Sequence, residues 1–502
     1  MKNIYMADIT HEYYIGIAQN LLNNGYDIKM VSYAEENIYK PKSLKKFLKE
    51  VDPYVLTWDE YNYPERFDKI FNPDYSIFSI EFFSEIAYYE KLFLLATDRI
   101  SFTPISQIER VRMFHKYIAH AYNIFKKLKI DSIIFFGTPH GPWSISILAL
   151  AKVIEIDILY TDWVGISPNL STIENSIEIR KTYTIKQAIL GKQTNPEDRT
   201  NINEVISNKI YKDFDWTATK HINKINKVIK RIIALSTIKS FSRYLAPEFI
   251  YNNGNRRGIK YVTKYLRYLY EMISAIRFYD KNSTKIIKEK ALVLFLHFQP
   301  EASTMPMGYV FSDQLLVLEI ILSAAPKDLN IYIKEHPYTY EYPAQDRHER
   351  SKKFYQSLLR DPRVKFLDRK LSTKNILNLS QVKYIASICG SVSWEAIRIG
   401  KPCIIFGWAW FASCKSCYSV DSKKSLRKAL EQIDLSDNKK VNNDLNDFLH
   451  EEKNRYLYGV GTRSAFSYIN TTESEYQKYI ENISDGIVNS LKESKKKVNY
   501  DE

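Results

Sequence analysis

Along the first 165 residues, short apolar runs alternate with stretches whose apolar positions recur every three or four residues. The runs NIYMADI (3–9), YDIKMVS (26–32), YVLTW (54–58), YSIFSIE (75–81), DSIIFFG (131–137) and IDILYTDW (156–163) predict strands. Residues 11–24, 84–97, 106–128 and 143–154 predict helices. Strand and helix in strict alternation imply a parallel sheet with crossover helices on both faces. From about 172 to 290 the strand signal gives way to long helical periods. There Ile222, Ile225, Val228, Ile229, Ile232 and Ile233 share one face and lysines the other. The alternation then restarts with strands at 291–299, 329–337, 364–368, 382–390 and 402–407. Helices are expected near 311–323, from about 392 and near 421–433, and a last one spans 472–493. The expected fold is α/β: two doubly wound Rossmann-like domains, 1–171 and 291–471, facing a cleft. A basic α-helical insert at 172–290 separates them, and a terminal helix and tail at 472–502 is free to cross back.

Length and charge sharpen this picture. At 502 residues the chain is too long for one ordinary core, which suits two domains. The net charge of +14 is concentrated: Lys220 to Lys290 holds 17 Lys or Arg against four acidic residues, a local excess of +13. Three partners fit such a helical run: an anionic lipid surface or charged glycan, a nucleic acid, or water alone. The first is preferred, as an anionic inner-membrane surface met by the 220–290 helices. Nucleic acid is not expected, because no recognised binding module accompanies the run. The N-terminus lacks the layout of a secretory signal, and no stretch reaches the roughly 18 uninterrupted apolar residues of a membrane span. The expected place is therefore the reducing cytoplasm, peripheral at the inner membrane. Cys389, Cys403, Cys414 and Cys417 agree with that place. A zinc site on the CKSC pair would need two more ligands, so plain thiols are preferred and no metal is expected.

Ligands of open parallel sheets bind beyond the carboxyl ends of the strands, so the residues that follow each strand carry the chemistry. In the second half these are HFQPEAST, with His297, Gln299, Glu301, Ser303 and Thr304; KEHP, with Lys334, Glu335, His336 and Pro337; and CGSVSWE. In the last, Gly390 permits a tight turn, Ser391 and Ser393 open a helix, and Glu395 stands in its first turn. Hydroxyls, amide N–H groups and the positive end of a helix dipole make an anion site suited to phosphate. The plainer account is that one serine caps the helix. For KEHP the alternatives are a strand end stopped by Pro337 with His336 on the surface, or a phosphate wall shared with the serines, where His336 donates a hydrogen bond or a proton near neutral pH. Glu335 either orients His336 or faces solvent. In the first domain Glu81, His140 and Asp162 stand at strand ends as candidates for base or nucleophile. The one DxD-like string, Asp213-Phe214-Asp215, falls in the insert and reads as a helix start. No Walker loop, dinucleotide glycine fingerprint or HExxH motif occurs.

The succession HFQPEAST, KEHP and GSVSWEAIRIGKPCIIFG resembles the bacterial capsular polysaccharide synthesis family, which includes retaining Kdo transferases. The His-Pro step with later serines is also similar to bacterial sialyltransferases. The likeness is best over 291–410. It implies the GT-B fold and transfer of an acidic 2-keto sugar (Kdo, or a pseudaminic, legionaminic or sialic acid) from its CMP donor to a capsule or lipopolysaccharide glycan. His336 and Pro337 would meet the CMP phosphate, with Ser391 and Ser393 as its serines; SVS in place of adjacent serines leaves one of the two open. Glu395 would contact the nucleotide or only favour the helix dipole. Gln299, Glu301, Lys334, Glu335 and Gly390 complete the expected donor side. A monophosphate leaving group needs no metal, and no cofactor is expected beyond the CMP-sugar. The alternatives are a UDP- or GDP-sugar transferase of the same fold and a non-catalytic assembly or export factor.

Overall fold

The computed structural model describes residues 2–7, 9, 11–33, 42–57, 60–61, 64–100, 106–174, 202, 259–299, 304–305, 307–340, 350–462, 465, 469 and 472–493. Its first part runs β1 (Asn3–Ala7), α1 (Glu12–Asn23), β2 (Asp27–Tyr33), α2 (Lys42–Val51), β3 (Tyr54–Thr57), α3 (Pro64–Ile70), α4 (Ile80–Ile100), α5 (Gln107–Leu128), β4 (Ser132–Phe136), α6 (Pro142–Val153), β5 (Asp157–Trp163) and β6 (Leu170–Glu174). The second runs α7 (Ile259–Lys281), β7 (Ser283–Thr284), β8 (Ala291–Phe295), α8 (Gln314–Ala324), β9 (Asn330–Lys334), α9 (Lys352–Leu358), β10 (Val364–Leu367), α10 (Thr373–Leu377), β11 (Val382–Ser387), α11 (Ser391–Arg398), β12 (Cys403–Ile405), β13 (Cys417–Ser419), α12 (Lys423–Asp434), α13 (Asn438–Glu452), β14 (Leu457–Tyr458) and α14 (Glu473–Glu493).

These form two seven-stranded sheets, β14-β6-β5-β4-β1-β2-β3 and β13-β12-β11-β8-β9-β10-β7. The second is parallel throughout, as is the first from β5 to β3. Two doubly wound domains are what the alternation predicts. Central strands such as β8 (ALVLF), and β4 (SIIFF) after its buried Ser132, are apolar because helices cover both faces. Helix ends follow local chemistry. A capping box of Ser106 and Glu109 opens α5, and Lys129 in the left-handed region (φ 50°) closes it.

The structure departs from the sequence reading in several places. YSIFSIE is no strand. The Asp74 carboxylate accepts from the Ser76 amide and Phe78 N–H bonds Tyr75 O, so the alternating residues form a turn. The Ser79 hydroxyl then accepts from the Phe82 amide as α4 begins. The first sheet runs past residue 171, since β6 pairs antiparallel with β5 and β14 with β6. The end of α7, expected in the insert, packs on the second sheet: the Tyr279 hydroxyl donates to Leu367 O at 2.8 Å and accepts from the Glu335 amide at 3.1 Å. Most of the basic insert, with Asp213 and Asp215, lies outside the described residues, as do Glu301 and Ser303.

The terminal helix crosses back onto the first domain. There the Tyr13 hydroxyl donates to Tyr479 O at 2.9 Å and Asn20 Nδ2 to Ser484 Oγ at 3.3 Å. Loops at the carboxyl ends of the sheets touch across the domains. Trp394 Nε1 donates to Gly165 O at 2.9 Å, a Cβ on Gly165 would come within 3.1 Å of the Trp410 ring, and Met305 is buried within the first domain's core. Among the described residues no helix is long and apolar enough to cross a membrane.

The α1–α14 contact has no spare room, because a Cβ on Gly16 would sit 2.7 Å from Ile480 Cδ1. Gly16→Val should therefore lower stability by about 1–3 kcal/mol through overpacking, read from the midpoint of urea unfolding. An unchanged midpoint would mean that α14 shifts aside freely.

Candidate active site at the strand ends

Strands β11, β8 and β9 lie side by side, and their carboxyl ends deliver the GSVS turn, His297 and His336. The KEHP segment is arranged by Glu335, which is 1% exposed. Its Oε1 accepts from the His336 amide at 2.7 Å and the Thr339 hydroxyl at 3.0 Å. Its Oε2 accepts from Arg350 Nε at 2.9 Å and the Tyr355 hydroxyl at 2.6 Å. Glu335 is thus the buried anchor that orients the His336 backbone, and the solvent-facing alternative falls. Lys334 is buried too. Its Nζ donates to Arg369 O at 2.9 Å and Glu335 O at 3.1 Å, and burial lowers its pKa to about 8. Those bonds make it a clamp on the chain. Pro337 is exposed and starts the 3-10 turn Pro337–Tyr340.

His336 is half-buried, its ring 6.1 Å from that of Phe298. Burial first, then the charges of Lys334 and Arg350, push its pKa down to about 3. In the free protein it is a neutral imidazole at physiological pH. That corrects the expectation of a proton donor there: it can give a hydrogen bond, but it carries no surplus proton before an anion arrives.

The GSVS turn separates its two serines. Ser393 is fully buried and its hydroxyl lies 2.8 Å from that of Ser387, which accepts the Gly390 amide at 3.0 Å. Ser393 therefore serves the turn, and Ser391, exposed at the first helical position, is the serine that meets solvent. Neither caps α11: the N-cap is Gly390, without a side-chain hydrogen bond. Gly390 has φ −70°, so its merit is room rather than a special turn; a Cβ there would meet His297 Cε1 at 3.2 Å. Glu395 is half-buried and lies beyond the first turn of α11. Gln299 is buried, donating to Ser312 O and accepting from Gln314 Nε2, which makes it a brace of the β8 loop.

In the first domain, Gly137 at φ 113° turns the chain after β4. The following Thr138 joins two candidates: its hydroxyl donates to Asp162 Oδ2 at 2.9 Å, and its carbonyl lies 2.8 Å from His140 Nδ1. A carbonyl only accepts, so His140 carries its proton on Nδ1. Asp162 Oδ1 accepts from the Trp163 amide at 2.8 Å. Burial nevertheless pushes the Asp162 carboxyl up to about 6, outweighing both bonds. Glu81 does not join them. It is exposed in the first turn of α4, where its own amide and the Ser79 hydroxyl hold its pKa down.

Sequence reading missed Arg350, Tyr355, Thr339, Tyr279, Thr138 and Ser387. Thr339 and Thr138 stand just beyond residues that were singled out, whereas Arg350 and Tyr355 reach Glu335 from a segment 15 and 20 residues away. Cys403, Cys414 and Cys417 are buried free thiols, and among the described residues no group of three or more His, Cys, Asp or Glu is placed to hold a metal.

No curated protein matches the chain in sequence. Among solved structures it is similar to Thermosulfurimonas dismutans KpsC, a beta Kdo 2,7 transferase, at 12% identity and TM-score 0.27 over 72% of this chain and 89% of that one. It is similar also to the UDP-GlcNAc 2-epimerase of Methanocaldococcus jannaschii, at 13% identity and TM-score 0.23 over 86% of this chain and 92% of that one. At such values neither assigns a reaction to this chain. Over residues 208–415, which take in β8 to β12 with His297, His336 and α11, the chain matches the model of the family described as capsule polysaccharide biosynthesis protein.

Proposed function

We propose that the chain is a glycosyltransferase of capsule or lipopolysaccharide assembly that takes an acidic 2-keto sugar, Kdo or a nonulosonic acid, from a CMP donor. The observation that carries this reading is the uncapped start of α11, with Ser391 exposed on it, at the edge of the sheet end that also presents His336. The family match over the same residues supports it.

In the reaction the bond between the anomeric carbon and the phosphate oxygen breaks and CMP leaves with the electron pair. The amides of α11, Ser391 and the neutral His336 ring donate hydrogen bonds to the phosphate and spread its growing charge. An acceptor hydroxyl forms the new bond, and Asp162 is the carboxylate on the facing domain that takes its proton or first attacks the sugar. His140, held by Thr138, orients that side. No step calls on a metal. The acceptor on this reading is a glycan or lipid-linked glycan, and the protein works peripherally at the inner membrane, with the basic 220–290 segment toward anionic lipid.

A donor screen tests the class. Wild type should be stabilised against thermal unfolding by CMP in preference to UDP or GDP, by about 2.7 kcal/mol at a hundredfold excess over Kd. His336→Ala should release CMP from a CMP-sugar at least roughly tenfold more slowly, for one lost hydrogen bond to a charged group. Preference for UDP or GDP would replace the CMP reading, and absence of any nucleotide effect would point to an assembly factor.

Asp162 gives a second test, by pH. As base or nucleophile it works ionised, and its raised pKa sets where that form is lost, so the rate should fall as pH drops through about 6. The linkage sign is opposite for stability. The folded state prefers the protonated acid, a contribution fully present below the ordinary pKa of 3.8 and lost as pH rises through about 6. Asp162→Asn should thus abolish transfer yet unfold later than wild type at pH 8, with the difference shrinking towards pH 4. An Asn variant less stable than wild type at pH 8 would contradict the placement.

A further inference from the structure

His297 stands between the two phosphate-facing elements, at the end of the strand that separates β9 from β11. It is 6% exposed. Its Nε2 accepts from the Ile388 amide at 3.1 Å and the Cys389 amide at 3.3 Å. A ring nitrogen that accepts bears no proton, so the neutral imidazole carries its proton on Nδ1. That Nδ1–H donates to none of the described residues. The backbone is pinned from both sides: the amide donates to Gln314 Oε1 at 2.8 Å, and the carbonyl accepts from Gln314 Nε2 at 3.1 Å and Arg350 Nη2 at 2.6 Å. The ring lies against Gly390, where a Cβ would come within 3.2 Å of Cε1, the atom between the two ring nitrogens, and 3.4 Å of Nε2, so Nδ1 lies on the far side of Cε1 from the amides that hold the ring. Glycine keeps the ring uncrowded at the opening of α11, where the Ser393 amide bonds Gly390 O and the amides of Ser391 and Val392 are left for a ligand.

We propose that His297 is a ligand-contacting residue of the donor site: its Nδ1–H donates to an oxygen of the phosphate held at the start of α11, and the Ile388 and Cys389 amides lock the one tautomer able to do so. This rests on the phosphate reading given above. A fixed neutral N–H suits the task, because protonating Nε2 would turn it against two amide N–H groups. Burial, with His336 and Arg350 close by, already holds the ring neutral, its pKa lowered to about 3. The phosphate would then be met from all three adjacent strands, by His336 from β9, His297 from β8 and the amides of α11 after β11.

Two substitutions separate the two edges of the ring. His297→Gln keeps an acceptor for the Ile388 and Cys389 amides but loses the Nδ1–H donor; His297→Asn keeps a donor near Nδ1 but loses the anchor. Titration calorimetry of CMP into the full chain should show roughly ten- to hundredfold weaker binding for the Gln variant, for one hydrogen bond to a charged oxygen, at an unfolding midpoint near wild type. The Asn variant should keep more of the affinity and lose stability. A Gln variant that binds CMP as wild type does overturns the inference and leaves the proposed function standing. If UDP or GDP binds instead and the Gln variant loses affinity for it, the donor assignment fails and the role of His297 stands. If wild type binds no nucleotide and no inorganic pyrophosphate, both fall. Should the Gln variant not fold, imidazole nitrogen NMR of wild type decides: an Nε2–H tautomer, or an Nδ1 signal unmoved by saturating CMP, overturns the proposal.

Discussion

The carboxylate of Glu335 ties the second half of the site together. Buried and accepting four hydrogen bonds, it joins the end of β9 through His336 N, the turn after it through Thr339, and the segment 350–355 through Arg350 and Tyr355. Arg350 in turn reaches the His297 carbonyl, so one ion pair spans the ends of β8 and β9. Its desolvation cost is balanced only because every lone pair is used; removing one partner of such a pair typically costs about 3–5 kcal/mol. The reward is geometric. The main chain on either side of two imidazoles is fixed, so the rings need little further ordering when a ligand arrives.

The electrostatic character of the site follows. With Glu335 committed to Arg350 and Lys334 committed to carbonyl oxygens, burial first and then the charges of Lys334 and Arg350 keep the His336 ring neutral. The second sheet end therefore offers N–H groups and a helix dipole, a surface matched to a modestly charged anion such as a monophosphate ester. The first domain is arranged the other way: Asp162 keeps only two hydrogen bonds against its burial, and its affinity for a proton rises. Donors on one side and a basic carboxylate on the other is the division that group transfer requires.

Much of this was legible in the sequence. Continuous apolar runs such as SIIFF and ALVLF mark buried parallel strands, and polar residues directly after them mark the sheet ends, which placed His336, Ser391 and Asp162 on the correct edge. What stayed hidden depends on distance or on local competition. An alternating run such as YSIFSIE reads as a strand until the Asp74 side chain bonds the backbone and bends it. Ser391 and Ser393 look equivalent, yet two residues on a helix point about 200° apart, so one meets solvent and the other Ser387. Arg350 lies in a charged, patternless stretch whose partner is set only by the tertiary fold.

The two sides of the site are coupled through one side chain. Trp394, a residue of α11, donates to the carbonyl of Gly165, two residues beyond the end of β5, which carries Asp162. Gly165 is in turn pressed against Trp410, so no side chain fits between loop and indole without displacing one of them. The helix that opens with Ser391 is thus fastened directly to the loop that follows the strand carrying Asp162. A change of angle between the domains must move both ends of that contact together, because the indole is packed on Phe411 and Phe448 as well and cannot swing alone. The separation of Ser391 from Asp162 is then set by packed aromatic side chains rather than by a flexible loop, and a reaction shared between the two sides would need such placement, since a shift of about 1 Å can cost much of a rate.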